Sequence, residues 1–223
     1  MSAHFSAFRL KDPVSAITHF IAFLAAAIAA APLLVHAAGQ GAGAGALWSL
    51  AVYMLSMLLL YAASTAYHSF RLSPKGEKRL KRLDHMMIFV LIAGSYTPIC
   101  VTALGRTGIW LLVLVWGVAL GGMVLKFCFV GCPKWVSSVL YIGMGWLCVL
   151  VLPKIYRALG LIGFLPLLLG GVFYTAGGVI YALKCKRFNR LIRGFGNHEL
   201  FHLFVMAGSL CHYITMYAGL PLS

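Results

Sequence analysis

The sequence predicts an all-α membrane protein: a bundle of seven transmembrane helices with a cytoplasmic N-terminus and a C-terminus outside. Three observations predict this fold. The chain is 62% hydrophobic and only 10% charged, with a mean hydropathy of +0.94, and this composition is typical of integral membrane proteins. Its apolar residues form long runs, and its lysines and arginines fall into alternate segments between those runs.

The apolar runs predict helices, because the strands of a membrane barrel would alternate apolar and polar residues. A spanning helix needs about 20 predominantly apolar residues. Seven runs meet this requirement and fill the chain, so residues 1–223 are predicted to form one membrane domain. The first run is too long for the core of a cleavable signal peptide. The predicted spans are 14–36, 47–69, 84–104, 108–128, 135–153, 161–183 and 197–219.

The basic residues predict the orientation. Of the 18 Lys and Arg residues, 15 fall in segments on one side of the predicted membrane and three on the other. The positive-inside rule then places the N-terminus in the cytoplasm of a multi-pass cell (inner or plasma) membrane protein. This distribution explains the net charge of +14 without a nucleic-acid partner. The basic segments 71–82 and 184–193 are expected to meet anionic lipid headgroups.

The predicted topology brings four polar residues to one depth at the cytoplasmic face. His68 ends the second span, Asp84 opens the third, and His198 and His202 lie in the first turns of the seventh. Residues four apart share a helix face, so His198 and His202 can bind one ion. Taken alone, each histidine is better explained as a residue at the lipid interface. Their shared depth indicates a common site.

Three imidazoles and a water make up the open arrangement of a catalytic zinc site. The donor set favours Zn²⁺ over iron or manganese. Asp84 would then bond the water or act as its base. Ser64, one turn before His68, would orient the imidazole or the water.

Two further histidines lie within spans. His19 is one turn inside the first span and either lines the cavity or bonds a neighbouring helix. His212 lies about 15 Å deeper than His202, and is interpreted as a core histidine bonded across helices. The six cysteines are interpreted as small packing residues: Cys100, Cys128, Cys132, Cys148, Cys185 and Cys211.

The segment His198-Glu199-Leu-Phe-His202 also fits the H-E-x-x-H pattern of zinc proteases. An intramembrane metalloprotease with Glu199 as the base is therefore an alternative. Against it, the rest of the chain contains no acid after His202 that would serve as the third ligand. This hypothesis also leaves His68 and Asp84 without a role.

Three motifs lie in matching order along the spans: Ser64-x3-His68, Leu83-Asp84 followed by Ala-Gly-Ser-Tyr-Thr-Pro at 93–98, and His198-x3-His202. On these motifs the chain resembles the bacterial hemolysin III family, a branch of the progestin and adipoQ receptor group. Thr18-His19 also resembles the signature of the first span, although Ser15 stands where members usually have asparagine.

The resemblance implies a seven-helix bundle with its N-terminus inside. It implies zinc held by His68, His198 and His202, with Asp84 bonding the water at the metal. It also implies a passive Glu199, because relatives such as the adiponectin receptors have non-acidic residues there. Those receptors are linked to ceramidase-like amide hydrolysis, and the haemolytic name comes from lysis ascribed to some members.

The sequence therefore leads first to a zinc-dependent hydrolase of a lipid amide or ester, or to a lipid-homeostasis sensor that retains such a site. Its expected partners are membrane lipids and a lipid-like substrate or ligand. The alternative is a structural zinc in a sensor or a pore-forming, haemolytic protein. The metalloprotease is the third possibility.

Overall fold

The computed structural model describes residues 10–183 and 195–222, and no β-strand occurs among them. The predicted basic segment 184–193 lies outside the described residues. A 3-10 turn (Trp146–Val151) joins the fifth and sixth helices. The α-helices are α1 (Pro13–Gly39), α2 (Ala44–Ser69), α3 (Pro74–Ala103), α4 (Gly105–Cys128), α5 (Lys134–Gly145), α6 (Leu152–Leu183) and α7 (Asn197–Ala218).

Within the described ranges, six helical stretches are long and apolar enough to cross a membrane. The stretch Lys134–Leu183 counts as one of the six. It is interrupted at Gly160, where φ is +59° and ψ is −173°. A residue with a Cβ is disfavoured at this positive φ. The all-helical membrane architecture is thus confirmed, while the count of seven spans and the orientation stay predictions.

Helix α3 begins at Pro74, well before the predicted start of its span at Asp84. Local signals explain this early start. The Ser73 hydroxyl accepts a hydrogen bond from the N–H of Gly76, proline occupies the first turn, and Glu77 places a negative charge there, all of which favour a helix N-terminus. Asp84 therefore lies inside α3 rather than at its opening.

The helices pack in a closed order around a common core. Helix α2 packs between α1 and α3, α3 contacts α4, α5 contacts α6, α6 contacts α7, and α7 returns to α1. The largest fully buried side chains include Tyr53, Tyr61, Phe89 and Met216. The closed order brings the start of α7 beside the end of α2.

A buried hydroxyl network sets the rotation of α7. The Tyr61 hydroxyl of α2 donates to Ser209 Oγ at 2.8 Å, and the Tyr174 hydroxyl of α6 lies 3.0 Å from the same oxygen. Tyr53 of α2 donates to the Ser209 carbonyl at 3.3 Å. Ser209 is seven residues, or two helical turns, from His202, so both share one helix face.

Candidate metal centre

Three histidines converge where the end of α2 meets the start of α7. One ligand nitrogen from each of His68, His198 and His202 lies within 4.8 Å of the other two. The Nε2 atoms of His68 and His198 are 3.0 Å apart. His68 and His202 are each 2% exposed. Among the described residues this is the one such group of histidine, cysteine and acidic ligands.

The donor set fits a zinc ion. Zn–N bonds of 2.0–2.1 Å in a tetrahedral site separate ligand nitrogens by about 3.3 Å, close to the observed Nε2–Nε2 separation. Nδ1 of His202 is buried and has no hydrogen-bond partner in the structure. Three imidazoles leave a fourth position open, as in catalytic zinc sites.

Asp12 orients His68. Its Oδ2 atom lies 2.9 Å from Nδ1 of His68, so a hydrogen on Nδ1 donates to the carboxylate and leaves the lone pair on Nε2, facing His198. Asp12 is the N-cap residue of α1, but its side chain makes no capping bond. Instead, its N–H donates to the His68 carbonyl at 2.9 Å. Backbone and side chain thus both tie the start of α1 to His68.

Asp84 and Ser64 lie at the edge of a cavity beside the histidines. Both are buried, at 7% and 1% exposed, and both line a cavity of about 160 Å³ that His198 and His202 also line. Oγ of Ser64 is buried and has no hydrogen-bond partner in the structure. Asp84 is not part of the ligand group, so its place is on the cavity wall next to the ligands.

The cavity leads away from the histidines between the helices. Its walls are mostly apolar and include Leu91, Leu111, Ile155 and Phe164. His212 lines it too, with its ring edge-on to Tyr174 at 5.2 Å between centroids. Because His212 is ten residues beyond His202 on α7, the cavity extends about 15 Å along the bundle. The cavity therefore has a polar end at the histidines and an apolar interior between the helices.

His19 packs directly on the centre. Its ring stacks on His202 with 3.6 Å between centroids and 11° between planes, and it meets Tyr61 edge-on at 5.1 Å. It also lines the cavity. Of the two roles that the sequence leaves open for His19, lining the cavity is the one observed. Two rings stacked in parallel point their in-plane nitrogens at different positions, so His19 is not placed to share the ion with His202.

Glu199 is engaged in contacts that hold the helix start. Its Oε1 accepts a hydrogen bond from Ser15 Oγ at 2.9 Å, and its Oε2 accepts one from the N–H of Gly196 at 2.8 Å. The second bond caps α7, and the first ties α7 to α1. Both carboxylate oxygens are thus used outside the histidine centre.

Comparison with known proteins identifies the family. The family model described as Haemolysin-III related matches residues 8–213. The chain is 37% identical to Hemolysin-3 of Bacillus cereus over 95% of this chain and 93% of that protein. It is 39% identical to the Hemolysin-3 homolog of Bacillus subtilis (strain 168) over 91% of each. The chain belongs to the haemolysin-III family.

A more distant relative of this chain is the human Monocyte to macrophage differentiation factor. It is 25% identical over 74% of this chain and 68% of its own length. The predicted resemblance to hemolysin III is thus confirmed. Membership and the apolar helices together make this chain a multi-pass membrane protein.

The structure brings His68, His198 and His202 together, as the predicted topology of the spans implies. It puts Asp84 and Ser64 on the adjoining cavity wall. The ligand and catalytic roles of these residues stay predictions. The sequence analysis does not predict a role for Asp12, although Asp12 is one of only four acids in the chain and immediately precedes Pro13, the first residue of α1. The position of His85 directly after Asp84 favours a role at the lipid interface or in a loop, which is wrong, because His85 lies in α3 and lines the cavity.

Proposed function

We propose that this haemolysin-III protein binds Zn²⁺ at His68, His198 and His202 and hydrolyses an amide or ester bond of a membrane lipid. The single observation that carries the proposal is the cavity, which joins two of these histidines and Asp84 to an apolar interior. A purely structural ion needs no such cavity. A lipid with its chain in the apolar part would hold its carbonyl beside the histidines.

Each residue of the centre has a specific task. When bound, zinc would supply a Lewis acid that polarises a carbonyl and makes water a stronger nucleophile. Asp84 takes the proton from the attacking water and returns it to the leaving amine or alcohol. Ser64 holds the Asp84 carboxyl or the water in place, and Asp12 keeps Nε2 of His68 free to bind.

We further propose seven spans with the histidines near the cytoplasmic leaflet of the cell membrane. A straight helix of 50 residues would measure about 75 Å, far more than a hydrocarbon core of about 30 Å. The stretch Lys134–Leu183 is therefore better described as two spans that are joined by a turn near Gly160. The alternation of basic segments sets the orientation.

The bonding of Glu199 disfavours the protease hypothesis. A general base of the H-E-x-x-H type faces the water at the metal, whereas both Glu199 oxygens bond Ser15 and Gly196. A sensor or pore-forming protein with a structural zinc stays the second candidate, which the name Hemolysin-3 of the two Bacillus relatives favours. Turnover of a lipid substrate would distinguish the hydrolase from this second candidate.

The test is release of fatty acid by the zinc-loaded, purified protein from a ceramide-type amide and a glycerolipid ester, followed by mass spectrometry. We expect turnover of one class by the wild type and a loss of at least about 100-fold in Asp84→Asn, with zinc content unchanged. Glu77→Gln, which alters an acid in the first turn of the same helix, is the matched control and should retain turnover. Zinc-loaded protein that releases no fatty acid from either class would contradict hydrolysis and support the structural alternative.

A further inference from the structure

A second cluster of reactive side chains lies at the junction of α4 and α5, apart from the histidines. Lys126 in the last turn of α4 is fully buried. Its Nζ lies 3.0 Å from Sγ of Cys132 and also donates to Oγ of Ser137. Sγ of Cys132 and Oγ of Ser137 are 3.5 Å apart. We refer to Lys126, Cys132 and Ser137 as the Lys126 cluster.

Lys126 is a buried cation without a carboxylate. The chain has four acids, and the one ion pair among the described residues joins Asp12 to His68. A buried ammonium group is costly unless an anion or strong acceptors compensate it. Of its two hydrogen-bonding partners, a thiol loses a proton far more readily than a serine hydroxyl. Cys132 is therefore the group that can supply the missing negative charge.

The surroundings of Cys132 favour its thiolate. Burial alone would raise the pKa of this thiol, but hydrogen bonds from Lys126 and Ser137, together with the charge of Lys126, outweigh burial and lower that pKa. Cys132 is also partly exposed, so an electrophile can reach it. Reactive cysteines typically lie beside a positively charged group such as lysine and are partly exposed to solvent. The interpretation of the cysteines as packing residues is wrong for Cys128, which is exposed, and Cys132 makes polar contacts with Lys126 and Ser137 besides. Cys185 lies outside the described residues.

The aromatic residues beside the cluster indicate where the electrophile comes from. Phe127, Phe129 and Trp135 are 59%, 65% and 61% exposed at the ends of two membrane helices. Exposed aromatic rings at such ends are typical of the boundary between membrane and water. Amphiphilic molecules concentrate at this boundary, and cysteines next to a membrane helix are typical sites of S-acylation.

We propose that Cys132, held by Lys126 and Ser137, is a nucleophilic thiolate that accepts an acyl group from a long-chain acyl thioester at the membrane surface. The Cys132 sulfur attacks the thioester carbonyl and forms a new C–S bond while the original C–S bond breaks. The leaving thiolate takes up a proton from water. No oxidant or reductant is needed. The cluster shares no residue with the three histidines, although Ser137 also lines the cavity beside them, and acylation of Cys132 does not require hydrolysis at the metal centre.

The test is acylation of the full-length protein in phospholipid nanodiscs by palmitoyl-CoA, quantified at each cysteine by mass spectrometry before and after hydroxylamine. Cys128 is the internal control, because it lies in the same segment at the end of α4 and is exposed. We expect Cys132 to be acylated at least about tenfold faster than Cys128. Lys126→Gln should remove this difference, and Lys126→Arg, which keeps the positive charge, should preserve most of it.

A second measurement requires no variant in the cluster. The rate of alkylation by iodoacetamide against pH should rise at a lower pH for Cys132 than for Cys128 in the wild-type protein. Equal pH midpoints for Cys132 and Cys128 would overturn the proposal that Cys132 is a thiolate. A lower midpoint without acylation, or with oxidation by peroxide as the one reaction observed, would overturn the acyl thioester as the substrate.

Discussion

The carboxylate of Asp12 lies 2.9 Å from Nδ1 of His68, across 56 positions of sequence. The contact links the N-cap of α1 to the last turn of α2 and leaves Nε2 of His68 directed at His198. Carboxylate–histidine pairs of this kind are common behind metal ligands, where they fix the tautomer and orient the ring. The centre therefore includes α1, although the three histidines come from α2 and α7 alone.

Replacing Asp12 should weaken metal binding without abolishing it. In Asp12→Ala, His68 keeps its position on α2 but loses the acceptor that fixes its tautomer. We expect zinc affinity to fall by about 10- to 100-fold, measured by competition with a chelating dye. Glu77→Gln serves as the control and should leave the affinity unchanged. An Asp12→Ala protein with wild-type affinity would show that the carboxylate contributes nothing to the centre.

Replacing Glu199 should affect stability rather than chemistry. In Glu199→Gln, the amide oxygen can accept from the Gly196 N–H and the amide NH2 can donate to Ser15 Oγ, but both contacts lose the carboxylate charge that strengthens them at the helix N-terminus. We expect the free energy of unfolding to fall by about 1 kcal/mol, read from a denaturant titration in detergent, with zinc content and turnover retained. Ser15→Ala, which removes the partner of Oε1, should lower stability in the same direction. Loss of turnover with unchanged stability in Glu199→Gln would instead favour the protease.

Removing the Ser209 hydroxyl should loosen α7. In Ser209→Ala, the buried hydroxyls of Tyr61 and Tyr174 lose a shared partner, at a cost of about 1–3 kcal/mol in the free energy of unfolding. Ser49→Ala is the matched control. Ser49 is as buried as Ser209, at 3% against 4% exposed, but its hydroxyl bonds the Ala46 carbonyl of its own helix. Equal stability of the two variants would argue against the network as the restraint on α7.

Sequence predicted the helices wherever composition alone decides the structure. Runs of about 20 apolar residues cannot satisfy their backbone in a bilayer except as helices. The predicted spans accordingly follow helical segments, with only Leu104 and Gly219 lying one residue past the ends of α3 and α7. The start of α3 could not be predicted from hydropathy. Its first turns, from Pro74 on, are polar, and their helix depends on the Ser73 cap.

The candidate site was predictable to the extent that topology determines it. His68, His198 and His202 come together because one helix ends and another begins at the same face. Asp12 could not be predicted, because its contact depends on how the chain enters α1 against the end of α2. The stacking of His19 on His202 depends likewise on the rotation of α1, which no local pattern sets.

The most direct test of the metal centre is the zinc content of protein purified without chelators, measured by mass spectrometry in the wild type and in His68→Ala. We predict about one zinc per chain in the wild type and a loss of most of it in His68→Ala, because His68 supplies one of three nitrogens. His36→Ala changes a histidine that stacks on Tyr217 at 4.1 Å, near the opposite ends of α1 and α7, and should keep the ion. Zinc that persists in His68→Ala, or a wild type that binds none, would contradict the three-histidine centre.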